Sequence, residues 1–134
     1  MSKVSIIIPS RNEEYLSRTV DEVFNKATGE MEVIVILDGT TKHSIPKQRQ
    51  GLTIIKKQDS KGLRSAIKDA SNIAKGKYLL KMDAHSAVSK GFDEVLKKDC
   101  EDNWVVVSRY HELDVNTWEQ KSTLHEDYFY LGCP

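Results

Sequence analysis

In the segment Tyr78-Leu79-Leu80-Lys81-Met82-Asp83-Ala84-His85 a mostly apolar run delivers a carboxylate and an imidazole, one position apart, at its C-terminal end. Residues two apart on an extended chain point the same way, so an oxygen of Asp83 and a nitrogen of His85 can converge on one divalent ion. Mixed oxygen and nitrogen donors suit manganese or another transition ion better than calcium. The pattern looks like a metal–diphosphate site. Taken alone, an Asp-X-His is more often a polar loop after a strand, so its weight depends on the elements that position it.

A parallel strand buried on both faces reads as a short apolar run, and in open α/β sheets ligands gather beyond the carboxyl ends of such strands. Two further runs, Val4-Ser5-Ile6-Ile7-Ile8-Pro9 and Val33-Ile34-Val35-Ile36-Leu37-Asp38, are short, β-branched and followed by polar residues. Between them Leu16, Val20, Val23, Phe24 and Ala27 repeat at helical spacing. Glu13 and Glu14 are expected in the first turn of that helix, where its dipole favours anions. After Leu52-Thr53-Ile54-Ile55, the residues Leu63, Ala66, Ile67, Ala70, Ile73 and Ala74 predict a second helix, with Ser60 as N-cap and Gly76 as stop. Phe92, Val95 and Leu96 after Ser89 predict a third, and Val105-Val106-Val107-Ser108 predicts another strand. Strand and helix thus alternate to about residue 108.

Four segments, in order, carry a resemblance: Ile6-Ile7-Ile8-Pro9-Ser10-Arg11-Asn12-Glu13, Val35-Ile36-Leu37-Asp38-Gly39-Thr40, Lys61-Gly62-Leu63 with Ala66, and Ala74-Lys75-Gly76-Lys77 running into Asp83-Ala84-His85. Together they resemble the nucleotide-binding half of GT-A glycosyltransferases, those of inverting family 2 and the related polypeptide N-acetylgalactosaminyltransferases. The resemblance implies a Rossmann-like nucleotide-diphospho-sugar transferase fold, a three-layer α/β/α sandwich on a mostly parallel sheet. One domain is expected over 1–134, with 1–108 as the donor-binding core and 109–134 as the start of an acceptor-side region.

Carried over by position, the resemblance has Pro9, Ser10 and Arg11 cradling a uridine, with Glu13 beside the nucleoside. Proline after the strand fixes φ and removes a donor, which helps hold an open loop edge against a flat base, although it equally ends the strand. Asp38 matches the second acid of the family's Asp-Asp pair and would accept from the uracil imide N–H; Leu37 replaces the first acid. On its own Asp38 is as readily a solvated turn aspartate before Gly39. Gly62 opens the second helix near the nucleotide, with Lys61 and Arg64 as cations able to face base or diphosphate, and Ser60 occupies one of the places just ahead of this glycine where many relatives carry a basic residue. Asp83 and His85 occupy the metal motif in the Asp-X-His form of the polypeptide enzymes, and Asp83 also belongs to the nucleotide site. The ion implied is Mn²⁺ (or Mg²⁺), bridging the diphosphate and stabilising its charge as the sugar–phosphate bond breaks.

The activity implied is metal-dependent transfer of a hexosyl or N-acetylhexosaminyl group from a UDP-sugar to an acceptor that is a glycan, lipid or protein. The alternative is a truncated or non-catalytic nucleotide-sugar-binding module without the acceptor half, and the 134-residue chain alone is then inactive. A nucleotidyltransferase ranks below both, because Ser10-Arg11-Asn12-Glu13 lacks the glycine-rich loop usual after its first strand. No catalytic base is assigned, and retaining or inverting stereochemistry stays open. Glu126 and Asp127 resemble a Glu-Asp base pair of some relatives but follow the metal motif too soon. Trp118, Leu124, Tyr128 and Phe129 would seal the core or line an acceptor cleft, the former being the more usual role.

Twenty basic and twenty acidic residues balance, so no global basic field draws the chain to nucleic acid. With 39% hydrophobic and 30% charged residues the composition is that of a compact soluble domain. No apolar run approaches the roughly 20 residues that span a bilayer, and the first strand begins almost at once, so a cytoplasmic location without a membrane segment is expected. Cys100 and Cys133 are widely spaced and are expected to be free thiols. G-x-x-x-x-G-K-[ST], G-x-G-x-x-G and G-x-S-x-G are absent, which removes P-loop, dinucleotide and nucleophile-elbow chemistry. His43 falls in a polar stretch, 40–50, expected to be a surface loop.

Overall fold

The computed structural model describes residues 3–108 and 111–124. Strands β1 (Val4–Ser10), β2 (Met31–Asp38), β3 (Leu52–Lys57) and β4 (Tyr78–Lys81) form one parallel sheet in the order β3-β2-β1-β4. Helices α1 (Leu16–Lys26), α2 (Leu63–Ile73) and α3 (Phe92–Asp99) flank it, and β5 (His111–Asp114) pairs antiparallel with β6 (Glu119–Leu124).

Burial explains why the central runs are strands. β1 and β2 have neighbours on both edges and helices on both faces, so nearly every residue is buried and an unbroken Ile/Val run suits them. Val4, Ile6, Ile8, Val33, Val35 and Leu37 face α1 and α3, packing with Leu16, Val20, Val23 and Phe92. Ile7, Ile34 and Ile36 face Ala66 and Ala70 of α2. Three layers result, as expected. Each fully buried aliphatic side chain here stabilises the fold by about 1.5–3 kcal/mol. Edge strand β4 alternates instead, with Leu79 and Lys81 exposed.

A buried polar cluster sits at the amino-terminal end of the sheet. Glu32 accepts from Ser5 Oγ at 2.6 Å and from Lys75 N–H at 2.6 Å, and Ser5 Oγ accepts from Gly76 N–H at 2.8 Å. Burial pushes the Glu32 carboxyl up, but the hydrogen bonds from Ser5 and Lys75 with the nearby Lys3 and Lys75 charges outweigh it and hold it below its ordinary value. Gly76 is therefore not a helix stop. α2 ends at Ile73 with Ala74 as C-cap, and Gly76 is glycine because a Cβ would lie 2.6 Å from Ser5 N.

Three other boundaries differ from expectation. Glu13 and Glu14 lie in the turn before α1, whose first turn holds no acid. The N-cap of α2 is Gly62, at φ 91°, where an L side chain is strained, and Ser60 has another partner. Val105-Val106-Val107-Ser108 forms no strand: Val105 is 91% exposed and Val107 50%. β propensity reports fit to a pleated, half-buried surface, and this run has no ladder partner among the described residues. The stretch 40–50 is irregular, as expected. Asn12, in the left-handed region at φ 52°, ties it to β1 by accepting from Lys42 N–H at 2.8 Å. Among the described residues no helix is long and apolar enough to cross a membrane. Cys100 is free, while Cys133, Glu126, Asp127, Tyr128 and Phe129 lie outside the described residues.

Candidate functional site

Because all four strands run parallel, their carboxyl ends share one end of the sheet. Ser10 pairs with Leu37 and Asp38 with Lys57 across that end, and the β4 ladder is prolonged by Met82 N–H donating to Ile7 O at 2.9 Å. A cavity of about 280 Å³ opens there, lined by Pro9, Ser10, Arg11, Glu13, Asp38, Gly62, Leu63, Ala66, Lys81, Asp83, Ala84 and His85. Residues 72 positions apart in the chain, Glu13 and His85, meet in it. A larger cavity of about 360 Å³ lies between the start of β4 and α3, and none of the candidate site residues lines it.

The alternation of β4 continues past its last ladder residue. Met82 and Ala84 are buried, at 8% and 1%, while Lys81, Asp83 and His85 are exposed on the opposite side. The motif thus presents a cation, a carboxylate and an imidazole in one row, as period two requires. The loop that follows is pinned to α1, with Ser86 N–H donating to the buried Thr19 Oγ1 at 3.1 Å. Asp83 Oδ1 is paired with Lys81 Nζ. His85 Nδ1 lies 3.4 Å from Glu13 Oε2, which leaves Nε2 as its other ligating atom. A carboxylate behind an imidazole fixes ring orientation and tautomer.

Asp38 is no solvated turn residue. It is 5% exposed, and its carboxylate accepts from Lys61 N–H at 2.8 Å, Ser60 Oγ at 2.8 Å and Gly62 N–H at 3.0 Å. The Lys61 bond foremost, helped by those from Ser60 and Gly62 and by the Lys57 charge, outweighs burial and holds the carboxyl below its ordinary value. Asp38 thereby tethers the entry to α2. A carboxylate offers about four lone-pair sites, and the single bond to Oδ1 leaves one there for a ligand. Leu37, in the place of an acid, is buried in the apolar core.

The structure therefore gathers Pro9, Ser10, Arg11, Glu13, Asp38, Gly62, Asp83 and His85 at one cavity. It leaves out Lys61 and Arg64, which are exposed and do not line it; the cations that do are Arg11 and Lys81. Lys81 was readable from its period-two spacing with Asp83 and His85. Among the described residues no group of three or more His, Cys, Asp or Glu could hold a metal. Asp83 and His85 fit a divalent ion only as an open pair, with other ligands coming from a bound phosphate or water, a usual arrangement for phosphate-bridging ions.

Across residues 5–132 the chain matches the Glycosyl transferase family 2 profile, and it belongs to that family. The parallel sheet and flanking helices agree with the GT-A fold. It is also similar to polypeptide N-acetylgalactosaminyltransferase 6 of Bos taurus, 31% identical over 128 residues covering 86% of this chain and 21% of the relative. The Homo sapiens protein of the same name is 30% identical over 132 residues, covering 89% and 21%. The chain spans about a fifth of the length of these relatives.

Proposed function

We propose that this chain is the donor-binding portion of a metal-dependent glycosyltransferase that takes a UDP-sugar and transfers a hexosyl or N-acetylhexosaminyl group to a glycan, lipid or protein. The observation that carries the reading is the convergence, at the carboxyl ends of β1, β2 and β4, of Pro9-Ser10-Arg11, Asp38 and Asp83-Ala84-His85 around one cavity. Pro9, Ser10 and Arg11 form the wall for the uridine. The remaining lone pair of Asp38 Oδ1 accepts the uracil imide N–H, which selects uracil over cytosine. Gly62 offers close backbone approach. Asp83 and His85 would hold Mn²⁺ or Mg²⁺, with Glu13 orienting the imidazole. The ion supplies Lewis-acid stabilisation of the departing diphosphate.

No acceptor contact or base is assigned among the described residues, so donor binding is the property to test. Calorimetric titration of UDP with and without Mn²⁺, with CDP and GDP as controls, tests the reading. Metal-dependent, UDP-selective binding that disappears in Asp83→Ala is the expected result. Equal binding of all three nucleotides, or full metal-dependent binding by Asp83→Ala, would sink it.

A further inference from the structure

We infer that Lys81 is a built-in counter-ion of the metal position, which neutralises Asp83 when no ion is bound and moves to the donor phosphates when one arrives. This rests on the proposed reading of Asp83 as a metal ligand. Three observations carry it. Lys81 Nζ is paired with Oδ1 of Asp83, the carboxylate expected to ligate the ion. Lys81 lines the same cavity as Asp83, Arg11 and Gly62, so its ammonium has phosphate-sized space within reach. Its side chain is 41% exposed and belongs to neither core cluster, so it is free to change partner without disturbing packing.

The electrostatic logic follows directly. A dication on Asp83 brings two positive charges against an ammonium already bound to the same carboxylate, and in a partly solvated cleft that repulsion is appreciable. An ion arriving alone on this carboxylate repels Lys81 toward water. An ion arriving with a diphosphate gives Lys81 a new anionic partner. Metal and diphosphate binding are therefore coupled, each tightening the other by the same factor, with Lys81 as one source of the coupling. The device keeps the metal position weak until donor is present.

Mn²⁺ binding followed by electron paramagnetic resonance, with UDP and with uridine, separates the possibilities for wild type, Lys81→Met and Asp83→Ala. Lys81→Met keeps an unbranched side chain of similar length, one atom shorter, and removes the ammonium with its charge and its donors. Circular dichroism and a thermal melt verify that each variant folds. The expected result is that Lys81→Met binds Mn²⁺ alone about tenfold more tightly than wild type, as loss of a neighbouring charge implies, and that UDP tightens Mn²⁺ less in the variant than in wild type. Without metal, Lys81→Met should weaken UDP but leave uridine unchanged. Equal Mn²⁺ affinity in wild type and Lys81→Met, with binding abolished in Asp83→Ala, overturns the role of Lys81 while the metal reading stands. No Mn²⁺ binding by folded wild type, with or without UDP, overturns both.

Discussion

A buried carboxylate with three donors is the most constrained residue of the site. Replacing Asp38 by Asn puts an amide NH₂ against the backbone N–H of either Lys61 or Gly62, because Asn brings one acceptor oxygen where Asp brings two. Asp38→Asn should therefore destabilise the chain by about 1–3 kcal/mol at pH 7, read from urea denaturation. The sign of its pH dependence is fixed by the depressed carboxyl. Its contribution is complete above the ordinary value near 3.8 and is lost as pH falls through the lower folded value, so the gap between wild type and Asp38→Asn should narrow below about pH 3.8. A gap unchanged down to pH 2.5 would mean that the carboxylate charge is not what holds the entry to α2. The residue types of the motif were legible in the sequence, and so was the row of Asp83 and His85. The partners of Asp38 were not, since Ser60, Lys61 and Gly62 lie more than twenty residues away and nothing local in either segment announces the other.

At the scale of elements, the strands that carry the site were readable because burial on both faces demands uninterrupted Ile and Val, and β1 and β2 satisfy that demand. The run 105–108 meets the same compositional rule yet forms no strand, since pairing is a property of two segments and composition describes one. Helix starts were misplaced by a few residues for a related reason: the apolar period identifies the face, while the cap is set by tertiary partners such as Asp38. The Ser5, Glu32, Lys75 and Gly76 cluster escaped notice because only folding brings its members together. Its glycine gives a sharp expectation. A Cβ on Gly76 would stand 2.6 Å from both N and Oγ of Ser5 and 2.8 Å from Lys3 O, pushing the approach to β4 away from β1. Gly76→Ala should lower stability by at least about 1–3 kcal/mol, the usual cost of overpacking, and a urea midpoint within error of wild type would contradict that packing.

For the whole molecule, parallel topology divides the labour between two ends. The amino-terminal end of the sheet is closed by the Glu32 cluster, and the carboxyl end is left open with Arg11, Lys81, Asp83 and His85 around the cavity. A zero net charge means that recognition has to come from this local arrangement and not from a global field. Paramagnetic Mn²⁺ offers the most direct test of where recognition happens, because it broadens amide resonances in proportion to their nearness. Titrating Mn²⁺ with UDP into the ¹⁵N-labelled chain should broaden residues 10–13, 38–39, 61–63 and 83–86 first, with Glu32, Lys75 and Gly76 affected last. Broadening that begins at Lys75 and Gly76 or around α3, or that is uniform along the chain, would contradict the placement of the donor site at the carboxyl ends of the strands.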